Sequence, residues 1–256
     1  MIKTNTLKEK LKNNELVLGT WSSTSSANIV NVLGTTNLDF VVIDLEHASM
    51  SYETVENMVR AAEATQISPI VRVGDDNEQT ILRALETGPR SIMVPHVDSA
   101  VKAKKIVQSC KYFPEGTRGL SPYTRIHSFS HVDIDISLQS ENEATMIGIL
   151  VEGKDGLANL DEIAAVDGID LVYLGLFDIC QSVGLPGQLN HPKVIKEIKR
   201  CCELIQASGK AAGSMSTSVE YIKMLQEVGY TFIAYLNDAA AMKSHFEDVL
   251  LKINRS

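Results

Sequence analysis

Basic residues, cysteines and long apolar runs are all scarce in this 256-residue chain, and each shortage excludes a class of protein. Lysine and arginine total 24 against 32 aspartates and glutamates, so the net charge of −8 disfavours nucleic acid or an anionic membrane as a partner. No apolar run approaches the roughly 18 residues that a membrane span needs. Residues 1–15 are polar and of mixed charge, unlike a secretory signal, so we expect a cytoplasmic protein.

The four cysteines form no recognisable motif. Cys110, Cys180, Cys201 and Cys202 lack the spacing of metal ligands, and the adjacent Cys201-Cys202 pair suits no ordinary disulfide framework. We therefore expect buried thiols in a reducing compartment. The hydrophobic content of 44% and the charged content of 22% are ordinary for a globular enzyme, so a large core is expected.

Apolar, strand-like runs alternate with amphipathic helical stretches along the whole chain. Strands are predicted at Leu16–Trp21, Phe40–Asp44, Ser68–Val73, Ser91–Pro95, Met146–Val151, Leu171–Gly175, Ala211–Met215 and Thr231–Tyr235. Helices are predicted between them, among others at Tyr52–Thr65, Asn77–Glu86, Ala100–Cys110, Pro192–Ser208 and Ser218–Val228. Continuous apolar strands separated by helices indicate a parallel sheet. Units of this kind repeated eight times in ~250 residues fit an α/β (β/α)₈ TIM barrel.

A doubly wound open sheet is the competing architecture. It normally carries a glycine-rich first turn for a nucleotide, and Gly19-Thr20-Trp21-Ser22 does not match GxGxxG. The chain shows no internal repeat, low-complexity tract or linker. We therefore predict one barrel domain over residues 1–256.

Ionisable residues follow several of the predicted strands, which is where barrel enzymes carry their catalytic groups. They are Asp44, Glu46 and His47 after the second strand, Arg72 in the third, Glu152 after the fifth and Asp178 after the sixth. Arg72 stands in an apolar run, where a guanidinium needs an anionic partner. Glu152 and Asp178 together suit a hard divalent ion such as Mg²⁺ or Mn²⁺, although either one alone is also typical of a helix N-cap or a surface carboxylate.

These residue types favour chemistry on a 2-keto acid. A planar guanidinium beside a metal ion suits a carboxylate with an adjacent carbonyl, and both would stabilise the enolate that forms on proton loss or C–C cleavage. His47, held by Asp44 or Glu46, is the candidate for moving the proton. No lysine stands at a predicted strand end, which disfavours a Schiff-base mechanism.

A long segment separates the predicted helix ending at Cys110 from the strand beginning at Met146. Segments of this length inside a compact domain are functional or disordered more often than not. This one carries Arg118, Tyr123, Arg125 and His127, which suit contact with an anionic substrate or a neighbouring subunit. A solvated insertion with a short helix is an equally good interpretation.

The strand-end residues, taken in order, are similar to those of a known enzyme family. The pattern consists of Asp39-Phe-Val-Val-Ile-Asp-Leu-Glu-His47, Val71-Arg72, Val94-Pro95, Tyr112-Phe-Pro-Glu-Gly-Thr-Arg-Gly119, Glu152 and Asp178. It resembles the HpcH/HpaI family of class II, metal-dependent pyruvate aldolases. The resemblance implies a modified (β/α)₈ barrel, a hexamer built as a trimer of dimers, and exchange of the C-terminal helix between subunits. It also implies reversible cleavage of 4-hydroxy-2-keto acids to pyruvate and an aldehyde, with Mg²⁺ or Mn²⁺, or with Co²⁺ as a further candidate.

The resemblance also assigns roles to individual residues. His47 matches the catalytic base and Asp44 its partner, Arg72 matches the arginine that holds the keto acid, and Glu152 and Asp178 match the metal ligands. The remaining carried-over candidates are the substrate-binding residues Gly175, Leu176, Phe177 and Ser214, and Glu86, which falls where the family often has an aspartate reaching the site across a subunit interface.

Three departures from the family pattern surround these residues. Gly175-Leu-Phe-Asp178 replaces a usual Gly-Pro-Ala/Asn-Asp, Tyr235-Leu-Asn-Asp238 replaces Val-Gly-x-Asp, and Val-Glu152-Gly replaces Ile-Glu-Thr. We therefore expect the enolate chemistry to be kept and the substrate to differ from that of the well-known catabolic members. Two alternatives stay open: a citrate-lyase-like enzyme acting on a CoA thioester, and a diverged barrel that binds a keto acid without turnover.

Overall fold

Eight parallel strands form a closed barrel in the computed structural model, which describes residues 4–253. They are β1 (Val17–Ser22), β2 (Phe40–Asp44), β3 (Ser68–Arg72), β4 (Ser91–Val94), β5 (Met146–Val151), β6 (Leu171–Leu174), β7 (Ala211–Ser216) and β8 (Phe232–Asn237). Each strand pairs with the next, and β8 pairs with β1. The predicted (β/α)₈ barrel is confirmed, with every strand boundary within two residues of its predicted position.

Helices occupy most of the chain between the strands. They are α1 (Thr6–Lys12), α2 (Ala27–Gly34), α3 (Tyr52–Thr65), α4 (Glu78–Glu86), α5 (Ala100–Cys110), α6 (Ile134–Ala144), α7 (Gly153–Ala158), α8 (Leu160–Ala164), α9 (Leu176–Ser182), α10 (Pro192–Ala207), α11 (Val219–Val228) and α12 (Asp238–Lys252). The helix ends follow capping chemistry: the Ser51 hydroxyl caps α3, and Gly229 ends α11 with a φ of 112°. None of the helices between residues 4 and 253 combines the length and apolar composition of a membrane span.

The strand side chains alternate between two apolar clusters. Inward-facing residues such as Phe40 and Phe232 fill the barrel, where their rings stack with centroids 4.0 Å apart. Outward-facing residues pack beneath the surrounding helices. Gly19 makes room for this interior, because a Cβ at that position would lie 2.3 Å from the carbonyl oxygen of Phe40. All four cysteines are buried free thiols, as expected.

Helix α1 closes the amino-terminal end of the barrel. Leu7 and Leu11 join the interior cluster, and the Asn5 amide donates to the carbonyls of Arg90 and Ala144, immediately before β4 and β5. The opposite end, where the strands finish, is therefore the one left for substrate.

The long segment between α5 and β5 folds at this closed end as a 3₁₀ turn followed by α6. Arg118 pairs with Glu86 at the end of α4, with 3.0 Å between Nη2 and Oε1, and Arg125 pairs with Glu63 near the end of α3. The His127 ring lies 2.8 Å from the Ser137 hydroxyl. These contacts keep the segment's basic residues away from the open end of their own barrel.

Helix α12 lies almost entirely in solvent. Asp238 is its only buried residue among those described, while Phe246 is 61% exposed and Leu251 is 70% exposed. An apolar groove of about 410 Å³ runs beside β1 and is lined in part by Leu18, Ile29 and Ile222. Ala241 and Met242 of α12 also line this groove, whereas the apolar side chains farther along α12 stay exposed within one chain.

The Phe40–Phe232 stack predicts a large effect of truncation. We expect Phe232→Ala to lower the free energy of unfolding by about 3–5 kcal/mol, because the cavity lies inside a closed barrel that has little freedom to collapse. Urea unfolding measures the change. Phe129→Ala serves as the control, since Phe129 is 66% exposed and its truncation is expected to leave the midpoint unchanged. Equal losses in the two variants would contradict this account of the core.

Candidate active site

A buried ion pair joins the carboxyl ends of β2 and β3. Asp44 stands directly opposite Arg72 in the strand register, and the contact is bidentate: Nε to Oδ1 is 2.8 Å and Nη2 to Oδ2 is 2.6 Å. This confirms that Arg72 has an anionic partner. The guanidinium carbon also lies 4.4 Å from the centre of the Trp21 ring, whose indole nitrogen donates to the Tyr173 hydroxyl. The plane of the guanidinium is thus fixed from two directions.

Asp44 holds the turn that presents His47. Its Oδ1 accepts the backbone amides of Glu46 and His47, at 3.0 and 3.3 Å. We expected a contact between a carboxylate and the imidazole ring, but the structure brings Asp44 to the backbone of His47, because Arg72 binds both carboxylate oxygens. The His47 side chain is exposed at the open end of the barrel.

A residue that the sequence analysis missed, His96, extends this network. Glu46 lies 3.0 Å from Arg72 Nη1 through Oε2 and 2.8 Å from His96 Nε2 through Oε1. The other ring nitrogen of His96 lies 2.6 Å from Glu152 Oε1. Contacts therefore run unbroken from Asp44 to Glu152. His96 follows Pro95 at the end of β4, so the strand-end criterion that selected the other candidates also applies to it.

The two proposed metal ligands come from neighbouring strands. β5 pairs with β6, Glu152 follows the last residue of β5, and Asp178 lies in the first turn of α9. Glu152 occupies the N-cap position of α7 but makes no side-chain capping bond, so capping does not explain it. A Cβ on Gly175 would lie 2.6 Å from Asp178 Oδ2, and glycine thereby permits the close approach of this carboxylate.

The donor set fits a hard divalent ion held by few protein ligands. Carboxylate oxygens are the ligands that Mg²⁺ and Mn²⁺ prefer. No group of three or more His, Cys, Asp or Glu side chains within residues 4–253 is arranged to hold a metal. Glu152 and Asp178 would therefore leave most coordination positions to water and substrate.

The remaining residues that the sequence predicts for the site lie outside this network of contacts. Leu176 is 1% exposed and packs in the outer apolar cluster, whereas Phe177 is 53% exposed. Ser214 is fully buried, and its hydroxyl donates to the Leu174 carbonyl at 2.9 Å. The cause is strand alternation, which places Ser214 on the same outward face as Ala212. Glu86 lies at the closed end of its own barrel.

Asp238 ties the end of β8 to the loop after β1. Its carboxylate accepts the Ser22 hydroxyl at 2.7 Å, the Ser23 amide at 3.0 Å, and both the amide and the hydroxyl of Thr24. Burial on its own would raise the pKa of Asp238, but the hydrogen bonds from Thr24, Ser22 and the amides of Ser23 and Ala239 outweigh it and lower the pKa. The loop beside Trp21 is thereby fixed.

Leu236 is a backbone outlier beside this carboxylate. Its φ is 52°, and the pairing of β1 with β8 shifts register between Gly19 and Trp21. A branched side chain is rare in the left-handed region, which glycine adopts readily. Leu236 thus places a large side chain at an irregularity of the sheet, at the position where the family pattern described above has glycine.

Lys111 combines a lowered pKa with a position away from the open end. Burial, together with the nearby charge of Lys8, lowers the pKa of its amine to about 8. Its Nζ lies 3.3 Å from the Thr145 carbonyl, immediately before β5, so this amine stands at the closed end of the barrel.

The fold and the open end together define a class: a (β/α)₈-barrel enzyme whose strand ends carry a fixed arginine, an exposed histidine and a pair of carboxylates. The family model described as HpcH/HpaI aldolase/citrate lyase matches residues 18–242. The chain belongs to this family.

Similar proteins agree with that membership. The chain is 32% identical to the hydroxypyruvate/pyruvate aldolase of Roseobacter denitrificans over 97% of this chain and 96% of that protein. It is also 32% identical to a 2-dehydro-3,6-dideoxy-6-sulfogluconate aldolase of Pseudomonas putida over 95% of this chain and 94% of the other.

Solved structures show the same likeness. A Burkholderia cenocepacia protein of the HpcH/HpaI aldolase/citrate lyase family superposes with a TM-score of 0.91 at 27% identity, covering 98% of this chain and 100% of the other. The citrate synthase SbnG superposes with a TM-score of 0.85 at 31% identity, covering 97% of each. The chain is a carbon–carbon lyase, against the alternative of a non-catalytic barrel, and its family generally uses a divalent metal ion.

The lowered pKa of Asp238 predicts how stability depends on pH. A carboxylate whose pKa is depressed by folding stabilises the protein above its ordinary pKa, and this stabilisation is lost as the pH falls through the folded-state value. We expect Asp238→Asn to be less stable than wild type near pH 7, and the difference between the two to shrink below about pH 4. Urea midpoints at several pH values measure it. Asp167→Asn, an exposed carboxylate, is the control, and a difference between wild type and Asp238→Asn that does not change with pH would contradict the assignment.

Proposed function

We propose that this protein is a divalent-metal-dependent aldolase that cleaves or forms a 4-hydroxy-2-keto acid through the enolate of pyruvate. The observation that carries the proposal is the meeting of His47, Arg72, Glu152 and Asp178 at one end of the barrel, in a chain whose relatives include aldolases.

Arg72 binds the keto acid. Its five N–H groups exceed its protein contacts, since Asp44 takes one from Nε and one from Nη2, and Glu46 lies beside Nη1. One N–H on each terminal nitrogen therefore remains for a substrate oxygen. Because Asp44 and Trp21 fix the guanidinium plane, the arginine is already oriented for the negative charge that develops on the keto oxygen.

Glu152 and Asp178 would hold the divalent ion, whose contribution when bound is to polarise the keto acid and lower the energy of the enolate. His47 is the acid–base residue: the Asp44-anchored turn fixes its backbone, and its exposed ring is free to reach a substrate hydroxyl, directly or through water. Asp44 thus supports both Arg72 and His47.

The substrate differs from those of the catabolic relatives. Phe177 and Leu236 add bulk at the open end, and Leu236 does so in a backbone conformation that favours glycine, whereas Tyr235 lines the groove beside β1. Gly175 and Leu176 contribute backbone rather than side-chain contacts, since Leu176 is buried in the outer cluster. These features favour an aldehyde partner of different size from those of the relatives.

A second candidate is carbon–carbon bond formation with a CoA thioester. The likeness to the citrate synthase SbnG, at 31% identity, favours it. The same Arg72 and carboxylate pair would then bind the keto acid that accepts the acetyl unit.

Activity assays separate the two candidates. We expect pyruvate release from 4-hydroxy-2-keto acids in the presence of Mn²⁺, its loss on adding EDTA, and its return with fresh metal. Acetyl-CoA with oxaloacetate, followed by the free thiol of CoA, tests the alternative. Metal-independent pyruvate release would contradict the metal requirement, and turnover only with acetyl-CoA would replace the aldolase with the second candidate.

Replacement of His47 tests the division of roles. We expect His47→Ala to lower kcat/KM for aldol cleavage by about 100-fold or more, because a general acid–base residue contributes on that scale, while Mn²⁺ affinity stays unchanged. His131→Ala is the control, since that exposed ring contacts Tyr123 far from the strand ends. A loss of Mn²⁺ binding in His47→Ala would show that the roles are wrongly assigned.

Assembly follows the family resemblance, and we propose a hexamer built as a trimer of dimers with α12 exchanged between subunits. The exposed apolar side chains of α12 and the apolar groove beside β1 support this arrangement, because a second copy would cover apolar surface that is exposed in one chain. Glu86 would then be available to the site of a neighbouring subunit.

Light scattering after size exclusion tests the assembly. We expect wild type at about six times the chain mass of 28.0 kDa, and smaller species for Phe246→Glu, which places a charge on the apolar face of α12. Ser244→Glu is the matched control on the same helix. A monomeric wild type, or unchanged assembly of Phe246→Glu, would contradict the exchange.

A further inference from the structure

His96 connects the arginine side of the site to the carboxylate that we propose as a metal ligand. Its two ring nitrogens lie 2.8 Å from Glu46 Oε1 and 2.6 Å from Glu152 Oε1. We propose that His96 is a positioning residue that orients Glu152 toward the divalent ion, with Glu46 fixing the ring. This inference rests on the metal site of the proposed function and adds a residue to it.

The backbone of His96 is held from both sides. Its amide donates to Glu152 Oε1 at 3.0 Å, and its carbonyl accepts the Lys102 amine at 2.8 Å. The next amide, of Val97, donates to the Leu150 carbonyl at 2.9 Å. His96 itself has a φ of 58°, a left-handed conformation that is uncommon for a residue with a side chain. A loop pinned in this way keeps the ring in one place between the two carboxylates.

Glu46 is the more buried of the two carboxylates that contact the His96 ring. Its side chain is 10% exposed and lies beside Arg72, whereas the side chain of Glu152 is 22% exposed and has no partner on its own helix. Two donors from His96 converge on Oε1 of Glu152, so the carboxylate is held in one orientation with Oε2 outside these contacts. An ion would thus meet a carboxylate that is already oriented.

The contribution of His96 is to orientation rather than to folding. Its side chain is 59% exposed, and exposed ion pairs add little to the stability of the fold. Outer partners of metal ligands, by contrast, typically change metal affinity by about 10–100-fold when they are removed. Metal affinity and thermal stability therefore give different readouts for a positioning role and a structural one.

Three substitutions at His96 distinguish the contact with Glu152 from the contact with Glu46. His96→Ala removes both contacts. His96→Asn keeps a donor near the position of Nδ1, facing Glu152, and asparagine tolerates the left-handed backbone. His96→Gln keeps a donor only at the more distant position, facing Glu46. His131→Ala is the control for loss of an exposed imidazole.

Titration calorimetry with Mn²⁺ alone, paired with thermal unfolding, tests the proposal. We expect Mn²⁺ binding to weaken by about 10–100-fold in His96→Ala and His96→Gln, by a smaller factor in His96→Asn, and not at all in His131→Ala. The unfolding midpoints of all four variants are expected to match that of wild type.

Two outcomes would overturn the role of His96 while leaving the metal site intact: unchanged affinity in His96→Ala, or tighter binding, which would mean that the ring competes with the ion for Glu152. A fall in midpoint that parallels the loss of affinity across the variants would make His96 structural. Failure of the wild type to bind Mn²⁺ would instead overturn the proposed metal site, and this inference with it.

Discussion

The burial of the Arg72 charge is the constraint on which the open end of the barrel depends. A guanidinium among apolar strand residues is tolerable only with a paired anion, and the parallel register supplies Asp44 directly opposite on β2. Once Asp44 is committed to Arg72, its remaining acceptor capacity fixes the turn at Glu46 and His47. Glu46 in turn is brought to His96. The positions of the catalytic candidates are therefore consequences of one ion pair.

The sequence was sufficient to predict the barrel and the strand-end residues, because both follow from local patterns. Apolar runs bounded by turns define strands wherever they pair, and Arg72 in such a run requires an anion. Which anion was not predictable: His47 and Asp44 are neighbours in sequence, but the carboxylate binds across strands. His96 satisfies the strand-end criterion, but its contacts with Glu46 and Glu152, 50 and 56 positions away, could not be predicted from the sequence. The outward face of Ser214, by contrast, follows from the period of two along β7, which it shares with Ala212.

The two ends of the barrel carry ionisable groups for different reasons. At the closed end, Arg118 pairs with Glu86, and the amine of Lys111 binds backbone carbonyls, which ties α4, α5 and α6 together. At the open end the charged groups are connected to one another yet keep donors and acceptors facing outward. The bulky residues Phe177 and Leu236 also cluster at the open end. The departures from the family pattern at Phe177 and Leu236 therefore lie at the same end of the barrel as the Asp44–Arg72 ion pair.

Helix α12 lines part of the apolar groove beside β1 through Ala241 and Met242, and beyond these residues it lies in solvent. In the proposed assembly, each barrel would receive its last layer from another copy and would complete its folding only when copies meet. Its stability then depends on protein concentration, as for any fold that is shared between chains. Dilution would weaken the packing behind β8, and with it the Asp238 anchor that fixes the loop beside Trp21. Under that proposal, the concentration of the protein would determine how well each active site is formed.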